Sequence, residues 1–149
     1  MASVLILAHA PLASALKAVA SHVYPERGPD IAVLDVAPQA TPEQVQAQAQ
    51  ALMAQRPGAD WLVLVDVFGA TPCNAALRLV DPVHVRVLAG VNVPMLWRAL
   101  CYADESLDAL VARAQSGAGQ GIMPLAGARP IPQQSTPRPR ADDDHPHPQ

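Results

Sequence analysis

Short uninterrupted apolar runs alternate along this chain with longer alanine-rich amphipathic stretches, and that alternation restricts the accessible folds more than any other feature. Val4-Leu5-Ile6-Leu7-Ala8 is apolar at every position, as expected of a strand covered on both faces. Ile31 to Val36, Trp61 to Asp66 and Val83 to Leu88 read as three further strands. Between them, Pro11 opens a predicted helix with Leu12, Ala15, Leu16 and Val19 at helical spacing, ending before Pro25. Thr41-Pro42 with Gln44 supplies an N-cap and a proline at the first helical position for a helix reaching about Arg56. Thr71-Pro72 repeats that device, predicting Thr71 as the N-cap of a helix to about Val80. Strands and helices in this order predict an α/β fold, doubly wound around a mainly parallel four-stranded sheet of order 2-1-3-4 with helices on both faces. Beyond the fourth strand, Pro94 to Ala103 and Ser106 to Gln115 are expected to be helical. The glycine-rich Gly117 to Gly121 should then lead into Ile122-Met123-Pro124-Leu125, an extra antiparallel strand that Pro124 confines to an edge.

Composition sharpens this reading. Of 149 residues 50% are hydrophobic and only 15% charged, enough for a core and too little charge for a disordered chain. Aromatic residues make up 3%, so the core has to be built from Ala, Val and Leu. A net charge of −3 gives no basic field to gather phosphates, which excludes a general nucleic-acid binder. The apolar runs fall far short of the ~20 residues of a membrane-spanning helix. The first run is short, no Lys or Arg precedes it, and His9 and Pro11 close it, so a strand is expected there rather than a leader. Cys73 and Cys101 form neither a C-x-x-C motif nor a disulfide framework, which fits a reducing cytoplasm. From Gly127 to Gln149 the chain holds six of its sixteen prolines and a single large aliphatic residue, Ile131. One domain over 1–126 and a Pro-rich disordered tail over 127–149 are therefore expected.

In an open α/β sheet, ligands bind beyond the carboxyl ends of the strands where the strand order reverses. With order 2-1-3-4 that point lies between strands one and three, and it places His9 opposite Asp66. A carboxylate that accepts a proton from one imidazole nitrogen fixes the tautomer and frees the other nitrogen's lone pair to attack, as a phosphoryl acceptor requires. Gly69 and Ala70 permit close backbone approach, the helix start at Pro72 offers unpaired amides, and Thr71 adds a hydroxyl. Phe68 is expected on the solvent-facing lip of this site. Gly90 and Asn92 shape the loop after strand four, with Asn92 a candidate for the left-handed conformation or a partner contact.

These residues resemble a known family. His9 at the end of the first strand, Leu64-Val65-Asp66-Val67-Phe68-Gly69-Ala70-Thr71-Pro72-Cys73-Asn74-Ala75-Ala76, and Leu88-Ala89-Gly90-Val91-Asn92-Val93-Pro94-Met95-Leu96 are similar to the mannose-family IIA component of the bacterial phosphoenolpyruvate-dependent sugar phosphotransferase system. The resemblance implies that His9 accepts a phosphoryl group from the phosphocarrier HPr and passes it to a histidine of a IIB component. It further implies that Asp66 orients His9 and that Thr71 contacts the phosphate, beside the phosphate approach that Gly69 and Ala70 permit; no cofactor is expected. A cytoplasmic homodimer exchanging the 122–125 strand is the implied assembly. Ala10 and Ala70 stand where the family commonly has glycine, Val67 where it commonly has threonine, and Thr71 where it usually has serine. Two other destinations remain open at this level: the phosphotransfer subunit of a dihydroxyacetone kinase, and a regulatory module read through its phosphorylation state.

Several residues invite simpler readings. His22 and His84 have no partner at metal-ligand spacing, and Asp142-Asp143-Asp144-His145-Pro146-His147 lies in the predicted tail, so no metal is expected. Cys73 reads as a small packed residue. Trp61, Trp97, Phe68 and Tyr102 are too scattered for a base-stacking platform. A receiver domain phosphorylated on Asp66 is excluded, because Ala8-His9-Ala10-Pro11 supplies no acidic cage for Mg²⁺.

Overall fold

The computed structural model describes residues 1–127. The predicted tail, with its acidic-histidine cluster, lies outside the described residues apart from Gly127. Four strands, β1 (Ser3–His9), β2 (Ile31–Val36), β3 (Trp61–Val65) and β4 (Val85–Ala89), form one parallel sheet of order β2-β1-β3-β4. Helices α1 (Leu12–Val23), α2 (Pro42–Met53), α3 (Thr71–Leu77), α4 (Val93–Cys101) and α5 (Leu107–Gln120) cover both faces, and a 3₁₀ turn spans Pro25–Asp30. The predicted fold class and strand order are those observed.

Alternation along the strands divides the core into two layers. Val4, Ile6, Ala8, Leu62 and Leu64 face α1, α4 and α5, while Leu5, Leu7, Val63 and Val65 face α2 and α3. Each fully buried Leu or Val here contributes about 1.5–3 kcal/mol relative to an exposed one. Helices approach the sheet through small residues, Ala13, Ala20, Ala99 and Ala114 on one face and Ala49, Ala75 and Ala76 on the other. That is how a chain nearly free of aromatic residues closes its core.

Three local expectations need correction. The buried stripe of α1 is Ala13, Leu16 and Ala20, and the predicted Leu12 and Val19 stand 38% and 42% exposed. Alanines on both sides of this helix make the apolar period ambiguous, and packing against β1 settles it. α5 runs through Gly117 and Gly119 to Gln120 instead of ending before them. A Cβ on Gly117 would collide with the Arg98 side chain, so glycine is what lets α5 lie close to α4. Finally, Ile122 to Leu125 forms no strand, and Ile122, Met123 and Leu125 stand 76%, 61% and 83% exposed. Pro124 brings no N–H to a ladder, and α5 has consumed the residues that would have turned the chain back to the sheet.

Candidate functional site

His9 is the last residue of β1 and the only exposed one in that strand. β3 lies alongside, pairing Leu7 with Val65, so Asp66 emerges next to His9. The Asp66 carboxylate takes three hydrogen bonds. Its Oδ2 accepts from the His9 ring at Nδ1 (2.6 Å) and from the His9 backbone N–H (3.0 Å), and its Oδ1 accepts from the Val67 N–H (2.9 Å). Since a carboxylate only accepts, Nδ1 carries the proton and Nε2 keeps a free lone pair. Asp66 is 13% exposed and the His9 side chain 48%, which leaves the acid sheltered and the ring reachable. Burial pushes the Asp66 pKa up. The ring and backbone hydrogen bonds from His9, the His9 charge and the Val67 N–H outweigh that push, so the net shift is downward and the acid stays ionised.

The chain after Asp66 turns sharply. Gly69 sits at φ +88°, a conformation other residues rarely adopt, and the turn delivers Ala70 to the N-cap of α3. The predicted cap is displaced by one residue: Ala70 O accepts the first helical bond from Asn74 N (2.9 Å), and Thr71 is already helical. The Thr71 hydroxyl is thereby kept out of the cap. Amides at Ala70, Thr71 and Cys73 lie at the start of α3, where no preceding helical carbonyl can pair with them. Phe68 stands 79% exposed on this loop, beside Val67 at 49%, while Cys73 is buried. The loops at 9–11, 66–72 and 89–94 contain no Lys or Arg, so amide dipoles are their source of positive potential.

Asn92 has another task than expected. It is extended (φ −134°), caps α4 by accepting from Met95 N (2.8 Å), and donates to Ala118 O (3.2 Å). Among the described residues no non-glycine residue has positive φ, and Gly90 takes that conformation beside Asn92. The structure also shows pairings that reading along the chain missed. Asp35 on β2 accepts from the N–H and hydroxyl of Ser14 in the first turn of α1. His84 Nδ1 meets Asp60 Oδ1 at 2.8 Å. An acid within an otherwise apolar strand was the one available signal for Asp35. Among the described residues no three His, Cys, Asp or Glu side chains converge as a metal site, and no helix is long and apolar enough to cross a membrane.

Comparison with known proteins gives a consistent picture. The family model EIIA-man, PTS system fructose IIA component, matches residues 3–115. The PTS system mannose-specific EIIAB component of Escherichia coli K12 is 43% identical over 83 residues, covering 54% of this chain and 25% of that protein. The protein of the same name from Shigella flexneri matches to the same extent. The match thus spans about a quarter of these curated relatives. Among solved structures, the mannose/sorbose-specific IIA subunit of Enterococcus faecalis superposes with a TM-score of 0.78 at 23% identity, covering 87% of this chain and 98% of that one. Phosphotransferase component EIIA of Streptococcus agalactiae gives 0.71 at 23% identity, with coverages of 83% and 97%. At that identity the superpositions establish a shared fold.

Proposed function

The chain belongs to the EIIA-man family, PTS system fructose IIA component, and we propose from that premise that His9 is its phosphoryl carrier within a sugar phosphotransferase system. The observation that carries the proposal is the 2.6 Å contact between His9 Nδ1 and the ionised Asp66, which leaves Nε2 free and exposed. Nε2 attacks the phosphorus of a phosphohistidine on the donor, HPr. A bond from Nε2 to phosphorus forms as the donor's P–N bond breaks, and the electron pair of that bond stays on the donor nitrogen. His9 retains its Nδ1 proton, so its ring becomes cationic, and Asp66 stabilises that cation. The phosphoryl oxygens bear the negative charge of the transferring group, which the amides of Gly69, Ala70 and Thr71 and the Thr71 hydroxyl receive. Passage to a histidine of a IIB component is the same step in reverse with a new acceptor.

The working unit is residues 1–126, located in the cytoplasm, with Phe68 and Val67 forming the lip that a protein partner meets. The exposed Ile122, Met123 and Leu125 support a homodimer in which this segment is covered by the second subunit. Incubation with phosphoenolpyruvate, enzyme I and HPr is expected to place one acid-labile phosphate on His9, read by intact mass and peptide mapping. Absence of label on wild-type protein, or label that persists in His9→Ala, would overturn the proposal.

A further inference from the structure

Asp35 hydrogen-bonds neither His9 nor Asp66, and instead holds the first turn of the helix that follows His9. The parallel register sets Asp35 beside Ala8 and Val36 beside His9. Val36 O accepts the Ala10 N–H at 3.0 Å, so β2 holds the first residue past His9. Asp35 then reaches the first turn of α1, where Oδ1 accepts the Ser14 N–H at 3.1 Å and Oδ2 accepts the Ser14 hydroxyl. α1 needs this contact, because its own N-cap residue, Pro11, makes no side-chain cap and its first turn carries no acid. Thr41, Asn92 and Ser106 cap α2, α4 and α5 from within the chain's own turn, whereas the carboxylate that serves α1 comes from a neighbouring strand. His9 is thus flanked by two helix starts. The one at α1 already holds a carboxylate, and the one at α3 lacks a side-chain cap.

We propose that Asp35 is a positioning residue that occupies the amide end of α1 and so directs a phosphoryl group on His9 toward the 69–71 loop. The inference rests on His9 being the phosphoryl acceptor. A phosphoryl group carries up to about two negative charges near neutral pH. A helix start already filled by a carboxylate repels it, while free amides attract it. Asp35 therefore acts through α1 and the 9–11 loop and not by contact with the reacting atoms.

The test uses the full chain, phosphorylated through enzyme I and HPr, as wild type, Asp35→Asn and Asp35→Glu. Asparagine can still accept a hydrogen bond from Ser14, but it removes the charge. The phosphorus NMR titration of phospho-His9 is expected to move to lower pH in Asp35→Asn, since the Asp35 charge no longer opposes the phosphoryl dianion. The phosphoryl transfer rate is expected to fall by about fivefold. Asp35→Glu restores charge and is expected to recover both readouts in part, which a loss of packing alone would not do. An Asp35→Asn protein with wild-type titration and rate overturns the inference while leaving His9 as carrier, and so does an Asp35→Glu protein that behaves no better than Asp35→Asn. Should Asp35→Asn fold poorly, Ser14→Ala keeps the charge and is expected to leave the titration midpoint in place; a shift as large as that expected for Asp35→Asn overturns the role of charge. Unlabelled wild-type protein would instead remove the parent reading of His9, and this inference with it.

Discussion

Among the described residues, two histidines are held at Nδ1 by an aspartate, at opposite ends of the same sheet. His9 and Asp66 lie 2.6 Å apart at the carboxyl ends of β1 and β3, and His84 and Asp60 lie 2.8 Å apart at the amino ends of β3 and β4. Their surroundings separate them. Asp66 is 13% exposed and is followed by a glycine turn into a helix start, whereas Asp60 is 45% exposed. Asp81 adds a second acid near His84, accepting its backbone N–H at 3.2 Å and that of Val83 at 2.9 Å. An incoming phosphoryl group would meet amides at one end and carboxylates at the other. On the proposed function, an imidazole–carboxylate pair alone does not mark the site, and the topological switch point distinguishes one pair from the other.

The largest expected contrast is in labelling: His9→Ala abolishes phosphate incorporation from phospho-HPr, and His84→Ala leaves it at the wild-type level, both measured by intact mass. Label lost in His84→Ala would erase the distinction between the two ends. Next in size, Asp66→Asn should slow phosphoryl transfer by about 100-fold, because the amide no longer fixes the ring tautomer and carries no charge to offset that of the phosphorylated ring. Asp60→Asn should leave the rate unchanged in the same rapid-quench measurement. Gly69→Ala forces a side chain into φ +88° and should lower stability by about 1–2 kcal/mol in urea unfolding, with a several-fold loss of transfer rate.

The smallest effect is one of pH, and it runs in opposite directions at the two ends. The hydrogen bond to Asp60 raises the His84 pKa above its ordinary 6.5, reinforced by the charges of Asp60 and Asp81 against a desolvation that lowers it. The stability that His84 contributes is therefore complete below 6.5 and is lost as pH rises through its folded value. Asp66 is shifted below 3.8, so its contribution is present above that value and disappears as pH falls through the folded pKa. Melting curves should show Asp60→Asn departing from wild type mainly on the acid side of the His84 transition. Asp66→Asn should depart throughout the neutral range and converge with wild type in strong acid.

Most of the sheet was legible from the chain because buried parallel strands have to be continuously apolar, as Val4 to Ala8 and Trp61 to Val65 are. Order 2-1-3-4 places the ends of β1 and β3 side by side, and with them His9 and Asp66. What escaped depended on packing between helices or on contacts distant in sequence. The face of α1 could not be chosen because alanine reads as apolar on either side. Gly117 lies inside α5 where the Arg98 side chain of α4 leaves no room for a Cβ, a constraint written in α4 and not in α5. Thr71 and Thr41 precede proline alike, yet the turn at Gly69 starts α3 one residue early and gives the two threonines different roles. Asn92 went to cap α4, an option that its local sequence did not separate from a tight turn. Asp35 with Ser14 and Asp60 with His84 join residues more than twenty positions apart, and no local pattern records such a pairing.

β1 has ladder partners on both sides and is buried at every position before His9. Amide protons of Leu5, Ile6 and Leu7 should accordingly exchange only when the whole domain opens, among the slowest in the molecule. The His9 imidazole is mounted on a strand held on both sides, at the first position that water reaches. If His9 carries the phosphoryl group as proposed, loading and unloading a charge there need not disturb the framework, and the exposed residues 67–69 at the rim are left to meet a partner.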